Sequence, residues 1–202
     1  MVIVRRWAIW SLILVAIALV LGGGPVAAQP RPQPAELGEV VREVEALDQM
    51  RSSLAATIDS EATLETFKAV CKPVGMRAQQ LNREHSWQVK QVAAKYRNPQ
   101  HAPTTPGELA ALARFEADPT LISFWDQETI AGQDGYRYFR RINVEASCLA
   151  CHGGKEARPE FVKQRYPEDR AYDFAVGDLR GLYAAFVPAL QAELEAALRP
   201  EG

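Results

Sequence analysis

The stretch YRYFRRINVEASCLACH, residues 136–152, decides the fold class of this chain. Its first seven residues, 136–142, are rich in aromatic and branched side chains, which predicts a β-strand. Its last five residues, Cys148 to His152, form a C-x-x-C-H pattern. Because this pattern follows strands, about two-thirds of the way along a chain of 202 residues, an all-helical domain is not expected.

Further strands are expected on both sides of residues 136–142. The segment before them, 120–125, has the residue types of a strand, and the intervening loop is expected to hold Asp134-Gly135. A Gly177-Asp178 pair is typical of a hairpin, and it lies between two alternating segments. The remaining expected strands are 87–93, 172–176 and 179–187.

Helices are expected where apolar residues recur every three or four positions. The tetrad Thr105-Pro106-Gly107-Glu108 has the form of a capping box with proline at the first helical position. It predicts a helix from 106 to about 117. Other helices are expected at 35–59, in the stretch that carries Cys71, and at 189–198. Strands and helices follow one another without a β-α-β rhythm, so the fold class is α+β around one antiparallel sheet.

The C-x-x-C-H pattern has a specific chemical use. In c-type haem proteins the two thiols bind the porphyrin as thioethers, and the adjacent histidine is the proximal iron ligand. Cys148 and Cys151 are therefore expected to attach one haem c, and His152 to bind its iron. A Cys148–Cys151 disulfide would leave His152 unexplained. A zinc site would need further ligands, and Cys71, His85 and His101 are scattered.

The N-terminus has the form of an export signal. Arg5 and Arg6 precede a 15-residue apolar run, residues 7–21, and Val26-Ala27-Ala28 offers a cleavage site. Residues 1–28 are interpreted as a signal peptide, with an uncleaved membrane anchor as the alternative. Covalent haem attachment takes place outside the cytoplasm, so the export signal and the motif agree. A periplasmic location is expected, with a membrane tether only if the leader is retained.

The rest of the chain has the length of one domain. Residues 29–34 are proline-rich and predict a short linker, and residues 35–202 are expected to form a single c-type haem domain. Loss of Arg5 and Arg6 changes the formal net charge from −2 to −4. A nucleic-acid partner is not expected, since phosphate binding needs a clustered basic face.

The residues alone leave several candidates for the sixth iron ligand. Phe67, Val70, Cys71 and Val74 form one apolar helical stripe, and Pro73 is expected to end or bend the helix just after the thiol. A cysteine on such a face can be either a small core residue or a ligand. His85 and His101 are expected to be solvated, Met50 to pack within its own helix, and Met76 to follow the helix break.

The order of segments differs from that of small class I cytochromes c, which are nearly all helical with the motif near the mature N-terminus. It resembles instead a family of exported c-type haem proteins catalogued as domain of unknown function 3365. The resemblance covers most of the mature chain. It is carried by five segments in order, which are 95–99, the strand 136–142, 147–154, Tyr166-Pro167 with Asp169, and 177–181.

The resemblance implies a fold similar to a PAS domain, with a long N-terminal helix, a central antiparallel sheet and flanking helices. It also implies that the iron is held by the motif histidine and by a cysteine near the end of an early helix. In this chain those positions match His152 and Cys71. Both residues are therefore expected as metal ligands, and no catalytic residue is assigned.

Three classes of function are compatible with these features. The protein could be a redox or gas sensor that acts through a signalling partner and binds a diatomic gas, or a low-potential electron carrier with a redox partner. The alternative is an open-site haem enzyme such as a peroxidase, for which no distal His/Arg pair is found. Four arginines are candidates for haem propionates, or for a solvated strand face: Arg97, Arg137, Arg140 and Arg141.

Overall fold

A computed structural model describes residues 34–59 and 61–188. The expected leader 1–28, nearly all of the expected linker 29–34 and the expected helix 189–198 lie outside these residues. Among the helices described, none combines the length and the apolar character needed to cross a membrane.

The described chain alternates helices and antiparallel strands. In chain order the elements are α1 (Pro34–Ala55), α2 (Leu64–Glu84), β1 (Gln88–Val92), a 3₁₀ turn (Pro99–His101), α3 (Pro106–Ala117), β2 (Ser123–Ile130), β3 (Gln133–Asn143), a 3₁₀ turn (Ala146–Cys148), α4 (Leu149–His152), α5 (Glu160–Arg165) and β4 (Leu179–Pro188). The sheet order is β1-β4-β3-β2, and each neighbouring pair is antiparallel. The expected α+β class with one antiparallel sheet is confirmed.

Strand β4 lies inside the sheet and is buried along nearly its whole length. It pairs with β1 on one side and with β3 on the other. Alternate residues of a strand point to opposite faces. Tyr183 and Ala185 therefore join the core under α1 and α2, whereas Leu182 and Ala184 join the core under α3. Both faces of the sheet are covered.

Helices α1 and α2 form the layer on one face of the sheet. The apolar stripe of α1 buries Val40, Val44 and Leu47, and the helix ends at Ala55, four residues before its expected end. Helix α2 begins at the N-cap Thr63, whose hydroxyl accepts a hydrogen bond from the Thr66 N–H. This cap satisfies one of the free N–H groups at the helix start.

Helix α2 does not end at Pro73, because it continues to Glu84 with Pro73 inside it. Proline removes one backbone donor, so the Ala69 carbonyl loses its partner four residues on. Val70 and Val74 are buried on either side of the lost bond, and Leu81 is buried further along. Packing of this apolar face keeps the helix continuous.

The hairpin between β2 and β3 turns earlier than expected. Its loop is Ala131-Gly132, with φ values of 52° and 79°, and two positive φ angles are what a two-residue type I′ turn requires. Asp134 and Gly135 therefore lie in β3, not in the loop. Strand β2 also begins at Ser123 rather than 120, because Asp118 holds Thr120 by accepting from its N–H at 2.9 Å.

The expected helix 106–117 and its N-cap Thr105 are confirmed. The capping box differs in detail, because the Glu108 carboxylate accepts from the N–H of Thr104 at 2.7 Å and not from that of Thr105. Glu108 is fully buried and pairs with Lys90 of β1 at 2.8 Å. The first turn of α3 is thereby connected to the edge strand of the sheet.

A substitution at Gly135 tests the packing between β3 and β4. A β-carbon there would meet the Val187 carbonyl oxygen at 2.3 Å and the Phe186 ring at 2.6 Å. We expect Gly135→Ala to lower the free energy of unfolding by about 1–3 kcal/mol, since an overpacked core must shift. Denaturant unfolding followed by circular dichroism measures this change.

Gly75→Ala is the matched control, because a β-carbon at this helical position meets nothing within 4 Å. We expect it to leave the free energy of unfolding unchanged or to raise it by up to about 1 kcal/mol. Equal stability of the two variants would contradict this packing account.

Candidate functional site

The C-x-x-C-H motif lies on a short helical turn directly after β3. The 3₁₀ turn ends at Cys148, and α4 ends at His152. The turn begins at Glu145, whose carboxylate accepts hydrogen bonds from Arg51 and Ser52 of α1, both at 2.8 Å. Residues three apart lie on the same side of a helical turn, so Cys148 and Cys151 are on one side of the motif. All three cysteines are free thiols.

His152 is held by its Nδ1 atom. Nδ1 lies 2.7 Å from the carbonyl oxygen of Ala171, a distance at which two lone pairs would repel, so Nδ1 carries the proton and donates. Burial of the imidazole holds the pKa of His152 well below its ordinary value, and the cations Arg180 and Arg97 lower it further. The ring is therefore neutral, with the lone pair on Nε2, which is the form that binds a metal ion.

Asp169 fixes the carbonyl to which His152 donates. The carboxylate accepts from the Ala171 N–H at 2.9 Å and from Arg158 at 2.9 Å. Its second cation is Arg97, whose Nε lies 3.5 Å away. Asp169 is buried, so these contacts are only weakly screened by solvent. The orientation of the imidazole thus depends on a buried carboxylate two residues before Ala171.

Arg97 lies on the Nδ1 side of the imidazole. Its Nη2 donates to the Cys151 carbonyl at 2.6 Å and lies 3.2 Å from His152 Nδ1. Both of these nitrogens are donors, so the second contact brings a positive charge close to the ring without forming a hydrogen bond. Of the four arginines considered as propionate partners, Arg97 is the one that lies at the motif.

The other three arginines form pairs elsewhere. Arg137 pairs with Glu108 and Glu128 at 3.2 and 3.1 Å. Arg140 pairs with Glu45 and Asp48 of α1, and Arg141 donates to the Phe115 carbonyl. Arg137 and Arg141 are buried, so these two do not belong to a solvated strand face.

The segment 172–176 covers the motif, and the expectation that it forms a strand is wrong. Phe174 donates its N–H to the His152 carbonyl at 3.2 Å, and Asp173 donates to Gly153 at 2.7 Å. The Phe174 ring stands edge-on to the imidazole, with centroids 6.1 Å apart. These backbone bonds go to the motif rather than to β4, so no hairpin forms at Gly177-Asp178.

Cys71 lies on α2, on the side that faces the motif. Although the residue as a whole is exposed, the protein around its sulfur raises the pKa of Cys71, and the nearby Cys151 adds to this effect. Arg97 and Arg180 act in the opposite direction. One turn earlier on α2, Phe67 lies 6.0 Å from Phe161 of α5 between ring centroids. The third thiol therefore shares its surroundings with the two motif thiols.

The remaining candidates for the sixth ligand have other environments. His85 stacks on Trp87 at 3.8 Å, and Met76 is exposed inside α2. Met50 packs against the core between α1, α2 and the sheet. His85 and His101 are both half-buried, and burial, followed by Arg180 and Lys90, lowers the pKa of His101.

Sequence reasoning missed Arg180 and assigned no role to Asp169. Arg180 is a buried cation at the start of β4. The sequence could have indicated this residue, since Arg180 is the one charged residue in the otherwise apolar run 179–187. Asp169 has no such signal, because its charged partners Arg97 and Arg158 are brought to it only in the folded chain.

Comparison with known proteins assigns the family. The family model described as Tll0287-like matches residues 33–188. The chain is 53% identical in sequence to the cyanobacterial haem protein Tll0287, and its structure matches the crystal structure of that protein with a TM-score of 0.72. The match covers 79% of this chain and 99% of that chain. None of the curated proteins matches. By both the family model and the identity to a solved member, the chain belongs to the Tll0287-like family.

Proposed function

We propose that this protein is a monohaem c-type haem-binding protein that acts in redox or gas sensing or in low-potential electron transfer. Cys148 and Cys151 attach the haem, and His152 and Cys71 are the axial ligands. The observation that carries the proposal is the state of His152, whose Nδ1 is engaged by Ala171 while Nε2 keeps its lone pair. The similar protein Tll0287 is a haem protein, which supports the same cofactor here.

The residues of the motif suit covalent attachment. Cys148 and Cys151 would each hold the haem through a thioether, which forms when a thiol S–H adds across a vinyl C=C bond. Such an addition exchanges the S–H bond and one C–C π bond for an S–C and a C–H bond and needs no oxidant or reductant. Free thiols on one side of a helical turn meet this requirement, whereas a disulfide would not.

The bound group would supply an iron centre that cycles between ferric and ferrous states. Cys71 binds such a centre as a thiolate, since metal ligands must be deprotonated. Its raised pKa means that the proton leaves when the metal binds. An anionic sulfur favours the ferric state, so the reduction potential is expected to be lower than with a Met/His ligand pair.

Reduction makes the thiolate a weaker ligand, and this supports a role in sensing. Loss or protonation of Cys71 would free a coordination site for CO, NO or O₂, and the change would have to be passed to a partner protein. A carrier would keep Cys71 bound in both states and exchange electrons with a redox partner. The exposed position of Cys71 on α2 supports the sensing role more than the carrier role.

We also propose that the chain is exported to the periplasm, tethered only if residues 1–28 are retained. The fold is proposed to be PAS-like, for which the antiparallel sheet and the long α1 are the support. Such a fold is shared by proteins with many functions, so the site and not the fold carries the functional proposal.

Removing the Cys71 sulfur tests the axial pair. We expect Cys71→Ala to abolish the low-spin thiolate signal in the ferric electron paramagnetic resonance spectrum and to raise the reduction potential. Met76→Ala, at another exposed sulfur residue of α2, is the control and should leave both unchanged. An unchanged spectrum in Cys71→Ala would remove Cys71 from the iron and favour an open-site enzyme such as a peroxidase.

Binding of CO separates sensor from carrier. In the sensing role we expect the reduced protein to bind CO at a rate limited by release of Cys71, and Cys71→Ala to bind it faster. Absorption spectra after rapid mixing measure both rates. A reduced native protein that does not bind CO would identify a carrier with fixed ligation.

Asp169→Asn tests the support of His152. Asparagine keeps the size of the side chain but leaves Arg97 and Arg158 without a buried counter-charge, so we expect the free energy of unfolding to fall by about 3 kcal/mol. We also expect a higher reduction potential, since the uncompensated charge of Arg97 beside the imidazole favours ferrous iron. Glu160→Gln, an exposed change of the same charge, is the control, and equal effects in both variants would contradict the role of Asp169.

A further inference from the structure

Arg180 is a buried cation that forms no salt bridge with a carboxylate of the described residues. It is the second residue of β4 and is 9% exposed. Its Nη1 donates to the Lys95 carbonyl at 3.2 Å, and its guanidinium carbon lies 5.7 Å from the centroid of the Phe174 ring. Within residues 34–59 and 61–188 it takes part in no ion pair. A buried charge without a partner is costly, so an anion bound beside Arg180 would stabilise it.

Positive charge accumulates around Arg180. Lys95 lies over the same Phe174 ring as Arg180, with Nζ 4.1 Å from its centroid. Arg97 is 7% exposed, and its Nε has no hydrogen-bond partner. The one buried carboxylate of this cluster, Asp169, is already shared between Arg97 and Arg158. Cations therefore outnumber buried anions here, in a chain whose formal net charge is −2.

This cluster lies at the motif. Phe174 donates its N–H to the His152 carbonyl and sets its ring against the imidazole, while Arg180 and Lys95 lie over the same ring. Burial, and then the repulsion of Arg97, lowers the pKa of Arg180 to about 10. The Asp169 carboxylate, and after it the charges of Cys148 and Cys71, act on it in the opposite direction. Arg180 therefore lies within electrostatic reach of that carboxylate and of both thiols.

We propose that Arg180 and Arg97 form a carboxylate-binding site for a propionate of the haem attached at Cys148 and Cys151. This inference rests on the proposed function. The guanidinium fork of arginine matches the planar carboxylate and can donate two parallel hydrogen bonds to it. An anion here would neutralise the excess charge and satisfy the free Arg97 Nε. Haem carries propionate side chains, so binding of the cofactor would supply the missing carboxylate.

The test compares Arg180→Gln, Arg180→Lys and the native protein by resonance Raman spectroscopy and redox titration. We expect Arg180→Gln to shift the propionate bending band and to lower the reduction potential, because loss of a nearby cation disfavours ferrous iron, with the axial-ligand spectrum unchanged. Arg180→Lys keeps the charge but loses the fork, so the band should shift while the potential changes less. Arg170→Gln, an exposed arginine over Tyr96, should change neither.

A second pair of variants separates the propionate from the Cys71 thiolate. The effect of Arg180→Gln on the potential should persist in the Cys71→Ala background. An effect that disappears there, or a propionate band that does not move in either Arg180 variant, would overturn the proposal and assign Arg180 to the thiolate. If Arg180→Gln fails to fold, the band in Arg180→Lys decides. A native protein without covalent haem would instead refute the proposed function.

Discussion

The burial of β4 on both faces is the constraint on which the rest of this structure depends. The strand pairs with β1 and β3 at once and supplies side chains to both cores. Its only charged residue, Arg180, is consequently carried into the interior at the point where the sheet meets the motif. Because β4 is paired on both sides, residues 172–176 cannot form a hairpin with it. Their backbone groups bond to His152 and Gly153 instead.

The site combines opposite electrostatic demands. The proposed thiolate ligand would lower the reduction potential, whereas the nearby guanidinium groups of Arg97 and Arg180 would favour the ferrous state and stabilise the thiolate. The local surroundings already act in both directions on Cys71, since burial and the neighbouring thiols raise its pKa and the two arginines lower it. The balance between these charges, rather than the ligand pair alone, would determine the potential of the bound iron.

The features that could be predicted from the sequence are those specified by neighbouring residues. The C-x-x-C-H spacing is a local pattern that predicts the proposed haem attachment, and the helix 106–117 follows from a cap and a proline in consecutive positions. Pro73 was misinterpreted because helix breaking is a local rule, while Val74 and Leu81 keep α2 intact through tertiary packing. Residues 172–176 alternate like a strand, yet their backbone groups bond to His152 and Gly153 instead of to a strand. The partners of Asp169 are up to 72 positions away, so no local pattern could identify its role.

The Glu145 carboxylate has a mechanical consequence. It accepts from both Arg51 and Ser52 near the end of α1, and it is also the residue from which the motif turn starts. The 22 residues of α1 extend over about 33 Å, and these two hydrogen bonds lie in the last turns of the helix. A displacement of the motif turn would therefore break two hydrogen bonds to one carboxylate or pull on α1, which is packed into the core through Val40, Val44 and Leu47. The Glu145 carboxylate thus ties the position of the motif to the core of the domain.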